Sequence, residues 1–264
     1  MYSNIALSIA GSDSGGGAGI QADLRTFMAL KVHGCSAITC VTAQNSLGVN
    51  AIQAIQAEIV SSQIDAVISD FDIKAIKTGM LLNKNIILNT SKKLSSYPIP
   101  KIIDPVMVSR TGAALIEKDA IDAYKNCLFP QANLITPNIF EATLLSNIKI
   151  ENKKDIENAA SKLLELGPKA VLIKGGGIDL LKGKDFFVDK NGKSKWFNSD
   201  FINTTNTHGS GCTLSAAICG YQALGFDLMD SIKKSKLFIQ RSLKKSYQIG
   251  SGPGPLGHYQ SLWE

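Results

Sequence analysis

The stretch NTHGSGCTLSAAI, residues 206–218, is the most chemically specific part of the chain. A glycine-rich turn flows there into an apolar helix, so successive backbone N–H groups and the positive helix end form a hole for an anion. Such a hole suits the charge that develops on a transferred phosphoryl group, and Gly209, Ser210 and Gly211 would supply its turn. Cys212 falls in the first helical turn, where the helix field lowers a thiol pKa, and could act as general base toward a substrate hydroxyl. The competing reading is a small packing residue. His208 either contacts a ligand or packs in the turn. Cys35, Cys40, Cys127 and Cys219 are assigned to packing.

The other candidates follow apolar runs, because open parallel sheets bind ligands beyond the carboxyl ends of their strands. After the first run, residues 11–19 hold five glycines in nine positions and lead into Ile20-Gln21-Ala22-Asp23. This loop is expected to bring backbone N–H groups close to a ligand, although a permissive turn would also use glycine. Gln44, in VTAQNS, has an amide that can pair with a heterocycle bearing an amino group beside a ring nitrogen; alone, it equally suits a surface loop. Asp104 precedes Pro105, which ends a strand and leaves a carboxylate for a metal-bound water or a phosphate-bound cation, or for capping a turn. In TPNIFE, Pro137 reads as the first helical residue and Glu141 as an acidic first-turn residue. Capping accounts for Glu141, and organising Mg²⁺ waters becomes credible only beside other such groups. Lys174, followed by Gly175, Gly176 and Gly177, would face phosphates as a compact cation, with glycines clearing room for a nucleotide.

These residues need a scaffold that brings loop tips together. Apolar runs predict strands at 5–10, 36–42, 73–78, 101–104, 132–136, 170–174, 185–188 and 195–197. Amphipathic stretches predict helices at 19–30, 59–70, 85–95, 113–127, 137–146, 154–166, 211–224 and 228–248. The alternation predicts an α/β fold, a doubly wound, mostly parallel sheet with helices on both faces. Only the pair around Asp189-Lys-Asn-Gly192 reads as a hairpin.

With 264 residues, 44% hydrophobic and 19% charged, the chain can bury a core without staples, and the lack of a linker favours one domain over 1–264. Five dispersed cysteines without CxxC point to reduced thiols in the cytoplasm. No signal-like start and no 18-residue apolar window is present, so no membrane partner is expected. Much of the net charge of +6 lies in Lys149, Lys153 and Lys154 and in the run Lys233, Lys234, Lys236, Arg241, Lys244 and Lys245, which reads as the wet face of a helix rather than a nucleic-acid surface. A formal GxGxxG at Gly252, Gly254 and Gly257 is interrupted by Pro253 and Pro255 with no helix after it, and no Walker A sequence occurs.

In order, AGSDSGGGAGIQADL, TAQNSLGV, KTGML, DPVM, ITPNIFEA, LIKGG and NTHGSGCTLSAAI resemble the hydroxymethylpyrimidine/phosphomethylpyrimidine kinases of thiamine biosynthesis, in the ribokinase-like superfamily. The resemblance runs from Ala6 to the GPGPLGH tail. It implies a single doubly wound domain, a homodimer, and two ATP-dependent phosphorylations. The first is of the hydroxyl of 4-amino-5-hydroxymethyl-2-methylpyrimidine and the second is of its monophosphate. It further implies that Gly11, Asp23, Gln44, Met80 and Val106 hold the pyrimidine, and that Cys212 stands where the wider superfamily has an Asp base. Lys174, with Ser210 and Gly211, would serve the phosphates, and Asp104 and Glu141 would serve Mg²⁺. The chain departs from many relatives at Gly177-Ile178, where they have a Gly-Gly-His sequence, and at Ser210, where they often have Thr. A pyridoxal kinase is the nearest alternative; a sugar kinase fits Gln44 less well. A ligand sensor or nucleic-acid binder would use the positive charge without turnover.

Overall fold

The computed structural model describes residues 4–107, 116, 118–178 and 181–259. Its strands are β1 (Ile5–Asp13), β2 (His33–Gln44), β3 (Val49–Ala54), β4 (Ile73–Thr78), β5 (Lys101–Ile103), β6 (Leu134–Ile135), β7 (Ala170–Lys174), β8 (Lys184–Asp189) and β9 (Ser194–Asn198). The helices are α1 (Gly19–Ala29), α2 (Ala57–Ile68), α3 (Lys84–Leu94), α4 (Lys118–Ala123), α5 (Ile139–Ser146), α6 (Lys153–Leu164), α7 (Ser210–Ala223) and α8 (Leu228–Lys244). All strands join one nine-stranded sheet in the order β3-β2-β1-β4-β5-β6-β7-β8-β9. From β2 to β7 every neighbouring pair is parallel.

Strand alternation divides the core between two faces. Ile76, Ile103, Ile135 and Ile173 point to one face and pack beneath α2 to α6, against residues such as Ile64, Ile87, Ile139 and Leu163. Ala75, Ile102, Leu134 and Leu172 point to the other, where Phe27 of α1, Leu214 and Ile218 of α7 and Ile232 of α8 cover them. The doubly wound, mostly parallel sheet expected from the sequence is therefore present, and the tips of β1, β4, β5, β6 and β7 open at one edge.

The departures are local. The 189–192 hairpin forms between β8 and β9, but β7 and β8 are also antiparallel, and so are β2 and β3. β3 escaped the sequence reading because VNAIQA is an almost wholly exposed edge strand with no apolar run. Its turn is set by Asn45, whose Oδ1 accepts from Leu47 and Gly48 N–H. Pro137 lies before helix α5, not in it, because Asn138 is the cap. Of the helix expected at 113–127, positions 113–115 and 117 lie outside the described residues; the rest runs from Lys118 and widens to a π-helical turn at Tyr124–Leu128. On α8, Lys236 is no wet-face residue: it is largely buried and donates to Asp185 Oδ2 at 2.6 Å.

Candidate active site

Three adjacent strand tips bring the charged candidates together. Asp104 follows β5, Glu141 lies in the first turn of the helix after β6, and Lys174 ends β7. Lys174 Nζ donates to Asp104 Oδ1 at 2.8 Å, so the ion pair reaches across β6. The second Asp104 oxygen accepts from Ser215 Oγ of α7 at 2.9 Å, and the carboxylate is almost completely buried. Burial pulls the Lys174 ammonium down, but the Asp104 and Glu141 carboxylates outweigh it and hold its pKa above the usual lysine value.

Glu141 does cap its helix as expected. It accepts from Asn138 N–H at 2.8 Å while Asn138 Oδ1 accepts from Glu141 N–H at 2.9 Å, a reciprocal box. Yet the same carboxyl also accepts from Met107 N–H and is nearly fully buried. Desolvation, opposed by Lys174 and reinforced by Asp104, pushes its pKa up to about 7, beyond what a surface cap shows.

Two glycine loops meet on the α1 and α7 side. In the first, Asp13 Oδ1 accepts from Gly15 N–H, and Oδ2 accepts from Gly17 and Ala18 N–H. Gly16 N–H goes to the Asp13 carbonyl. The expectation that this loop offers its amides to a ligand is therefore corrected, since an aspartate inside the loop already occupies them. The second loop enters α7 through Gly209, which sits at φ +80° and would place a Cβ 1.8 Å from the Gly17 carbonyl. Only glycine permits that contact. Among the described residues no side chain caps the α7 N-terminus; the Ser210 N–H donates to the Thr207 carbonyl at 3.2 Å, which leaves the Gly211 and Cys212 amides of the first turn uncapped. Lys174 stands beside them, 3.3 Å from where a Cβ on Gly211 would lie.

His208 joins the two loops. Its Nε2 is 2.9 Å from Asp13 Oδ2 and 3.4 Å from Gln44 Nε2. With Nε2–H donating to Asp13, the Gln44 amide N–H₂ remains for another acceptor. Of the two readings of His208, the bond to Asp13 accounts for packing within the loops.

Cys212 lies on the helix N-terminus as predicted, and the Gly19 amide of α1 favours its thiolate. Burial nevertheless dominates and, despite Lys77, raises the thiol pKa, contrary to the lowering expected from the helix field alone. Cys35, Cys40 and Cys219 are buried packing residues, as assigned; Cys127 is half-buried.

The pyrimidine candidates divide. A Cβ on Gly11 would meet Cys40 Sγ at 2.7 Å and Met80 Cε at 2.9 Å, so Gly11 and Met80 share one wall. Gln44 closes the end of β2, and Val106 follows Asp104 with its N–H donating to the Asp104 carbonyl. Asp23 presents no open carboxylate: it is fully buried, gripped by Lys77 Nζ at 2.7 and 2.8 Å and by Ser8 Oγ at 2.6 Å. Lys77, Ser215 and Asp13 were missed by the sequence reading. For Lys77 the sequence signal was ambiguous, because β4 carries a second lysine, Lys74, which pairs with Asp72 at the surface.

The sequence model of the phosphomethylpyrimidine kinase family matches residues 13–257. A hydroxymethylpyrimidine/phosphomethylpyrimidine kinase of Synechococcus elongatus is 50% identical over 260 residues, covering 98% of each chain. Among solved structures, a phosphomethylpyrimidine kinase from Clostridium difficile superimposes with a TM-score of 0.80 at 41% identity, over 89% of this chain and 97% of that one. A Bacillus subtilis pyridoxal kinase, solved as an ADP complex, gives 0.89 at 34% identity over 97% of each. With a doubly wound, ribokinase-like sheet and matches along nearly its whole length, the chain belongs to the phosphomethylpyrimidine kinase family.

Proposed function

We propose that this chain, as one kinase domain over 1–264, phosphorylates 4-amino-5-hydroxymethyl-2-methylpyrimidine with ATP and then extends the monophosphate to the diphosphate, in thiamine biosynthesis. The observation that carries this reading is the uncapped α7 N-terminus, flanked by Lys174 and Cys212, in a chain of this family. Gly11, Met80, Gln44 and Val106 hold the heterocycle, and Asp23 supports the site from below. The amides of the turn from Gly209 to Cys212, where the Ser210 N–H is shared with the Thr207 carbonyl, receive the transferring phosphoryl group, and Lys174 exchanges Asp104 for a phosphate oxygen. Cys212, in the minor thiolate fraction that its raised pKa leaves, takes the hydroxymethyl proton while that oxygen forms its bond to phosphorus. The bond to the departing ADP oxygen breaks and carries its electron pair away.

The donor set fits Mg²⁺. Among the described residues no group of three His, Cys, Asp or Glu side chains forms a cage, but Asp104 and Glu141 offer paired hard oxygens, which suits an ion that keeps several waters. Held there, Mg²⁺ would neutralise charge on the nucleotide phosphates. The exposed apolar side chains Val41, Leu47, Val49 and Ile52 along β2 and β3 suit a second copy of the chain, in keeping with a homodimer. No helix among the described residues is long and apolar enough to cross a membrane, and the cysteines are free thiols, which supports the cytoplasm as location.

The likeness to a pyridoxal kinase favours pyridoxal as the competing substrate. ADP release measured on one preparation with the pyrimidine, its monophosphate and pyridoxal separates the readings. We expect kcat/KM for the pyrimidine to exceed that for pyridoxal by about tenfold or more, the range that one altered heterocycle contact provides. The reverse order would overturn the assignment.

A further inference from the structure

We propose that the buried Lys77–Asp23 pair is the electrostatic seat of Cys212, with Lys77 the positioning residue that steadies the negative charge on the sulfur once its proton has left. The proposal rests on Cys212 being the base, but its test does not. Lys77 is fully buried on β4 and holds both oxygens of Asp23, itself fully buried on α1. Among the described residues Asp23 is its only hydrogen-bond partner, which leaves one of the three ammonium N–H groups without one.

The elements place this pair under the sulfur. The start of helix α1 abuts the start of α7, where a Cβ on Gly209 would meet the Gly17 carbonyl at 1.8 Å and Ala18 Cα at 3.2 Å; Gly19, whose amide favours the Cys212 thiolate, follows, with Asp23 four residues later on the same helix face. Helix α7, which carries Cys212, packs against both α1 and β4. A Cβ on Gly79 would come within 3.1 Å of Lys77 Nζ, so the ammonium lies directly behind the backbone of the β4 tip.

The charged groups that act on Cys212 are Lys77 from β4, Asp23 from α1, Asp104 from the β5 tip and Lys174 from the β7 tip. Both carboxylates oppose a thiolate. Lys174 is paired with Asp104 and, in the proposed reaction, moves to phosphate. Lys77 alone remains as a cation throughout. Burial pulls its ammonium down, but Asp23, Cys212 and Asp104 outweigh burial and keep it protonated. An ion pair that served packing alone could be replaced by neutral groups of similar shape with no effect on the sulfur.

The test replaces both charges, Lys77→Met with Asp23→Asn, so that no unpaired ion is left buried. The pH dependence of iodoacetamide alkylation at Cys212, followed by mass spectrometry of its peptide in the intact protein, is compared with the unaltered chain. We expect the alkylation midpoint to rise by about one pH unit or more, equivalent to about tenfold less thiolate at a given pH. The first phosphorylation should fall by at least as much, and the second, whose acceptor is already ionised, much less. An unchanged midpoint in a folded variant overturns the proposal. A raised midpoint with both phosphorylations intact upholds the seat and rejects Cys212 as the base. If the double variant does not fold, Lys77→Gln, which still donates to Asp23, is read in the same way.

Discussion

Two glycine-rich turns lead into helices in this protein, and they solve opposite problems. The loop before α1 consumes its own donors: one carboxylate, Asp13, accepts from Gly15, Gly17 and Ala18. The loop before α7 spends the His208 and Ser210 amides on the Gly254 and Thr207 carbonyls but leaves those of Gly211 and Cys212 uncapped, and it relies on the first for support, through the contact of Gly209 with the Gly17 carbonyl and the bond from His208 to Asp13. Composition cannot distinguish them, since both are rich in glycine at a helix start. The difference is the presence of an acceptor within reach inside the loop. A rigid, satisfied loop can buttress, and an unsatisfied one is free to bind.

The strongest way to break this pairing is Gly209→Ala. A Cβ there meets backbone at 1.8 Å, so both loops must move, and we expect kcat/KM to fall by about 10²- to 10³-fold, the loss typical of a misplaced oxyanion donor. Gly192→Ala is the control: its φ is +79° with open space around it, so it should cost about 1 kcal/mol of stability and leave turnover unchanged. Asp13→Ala comes next. It strands three amides in the supporting loop and should lower unfolding free energy by about 3 kcal/mol in urea titrations. KM for the pyrimidine should rise more than kcat falls; a large fall in kcat with stability intact would refute the supporting role.

Glu141 sharpens the comparison at a third helix start, where one carboxyl both caps and binds. With a native value near 7 it is mostly protonated at pH 6 and mostly ionised at pH 8. Mg²⁺ affinity in the presence of a non-hydrolysable ATP analogue should therefore rise about tenfold across that interval, and Glu141→Gln should remove the slope. Titration calorimetry measures both. The smallest effect is expected at His208: His208→Leu should raise KM for the pyrimidine about fivefold, the worth of one hydrogen bond, and His208→Gln, which keeps a donor toward Asp13, should recover most of it.

The mostly parallel sheet and two of the charged site positions were legible because a parallel sheet puts its chemistry where apolar runs stop. Asp104 and Lys174 lie at such ends, and Gly209 was legible from its glycine-rich turn into a helix. What escaped depended on partners distant in sequence. Lys77 is explained by Asp23, 54 residues away, and β3 by pairing with β2 rather than by any pattern of its own. The direction of the Cys212 shift failed for the same reason. The helix field is a local property, whereas desolvation of the sulfur is created by the packing of α1 against α7.

The clasp between the glycine loops also has a consequence for biogenesis. Asp13 and His208 are 195 residues apart, and the His208 N–H donates to the carbonyl of Gly254. Contacts of such long range form late in folding, after the local βα units have condensed. During translation β1, β2 and β4 can pair long before the second loop leaves the ribosome. A nascent chain can thus be well folded and wholly inert, with competence arriving only when His208 meets Asp13 and the Gly254 carbonyl.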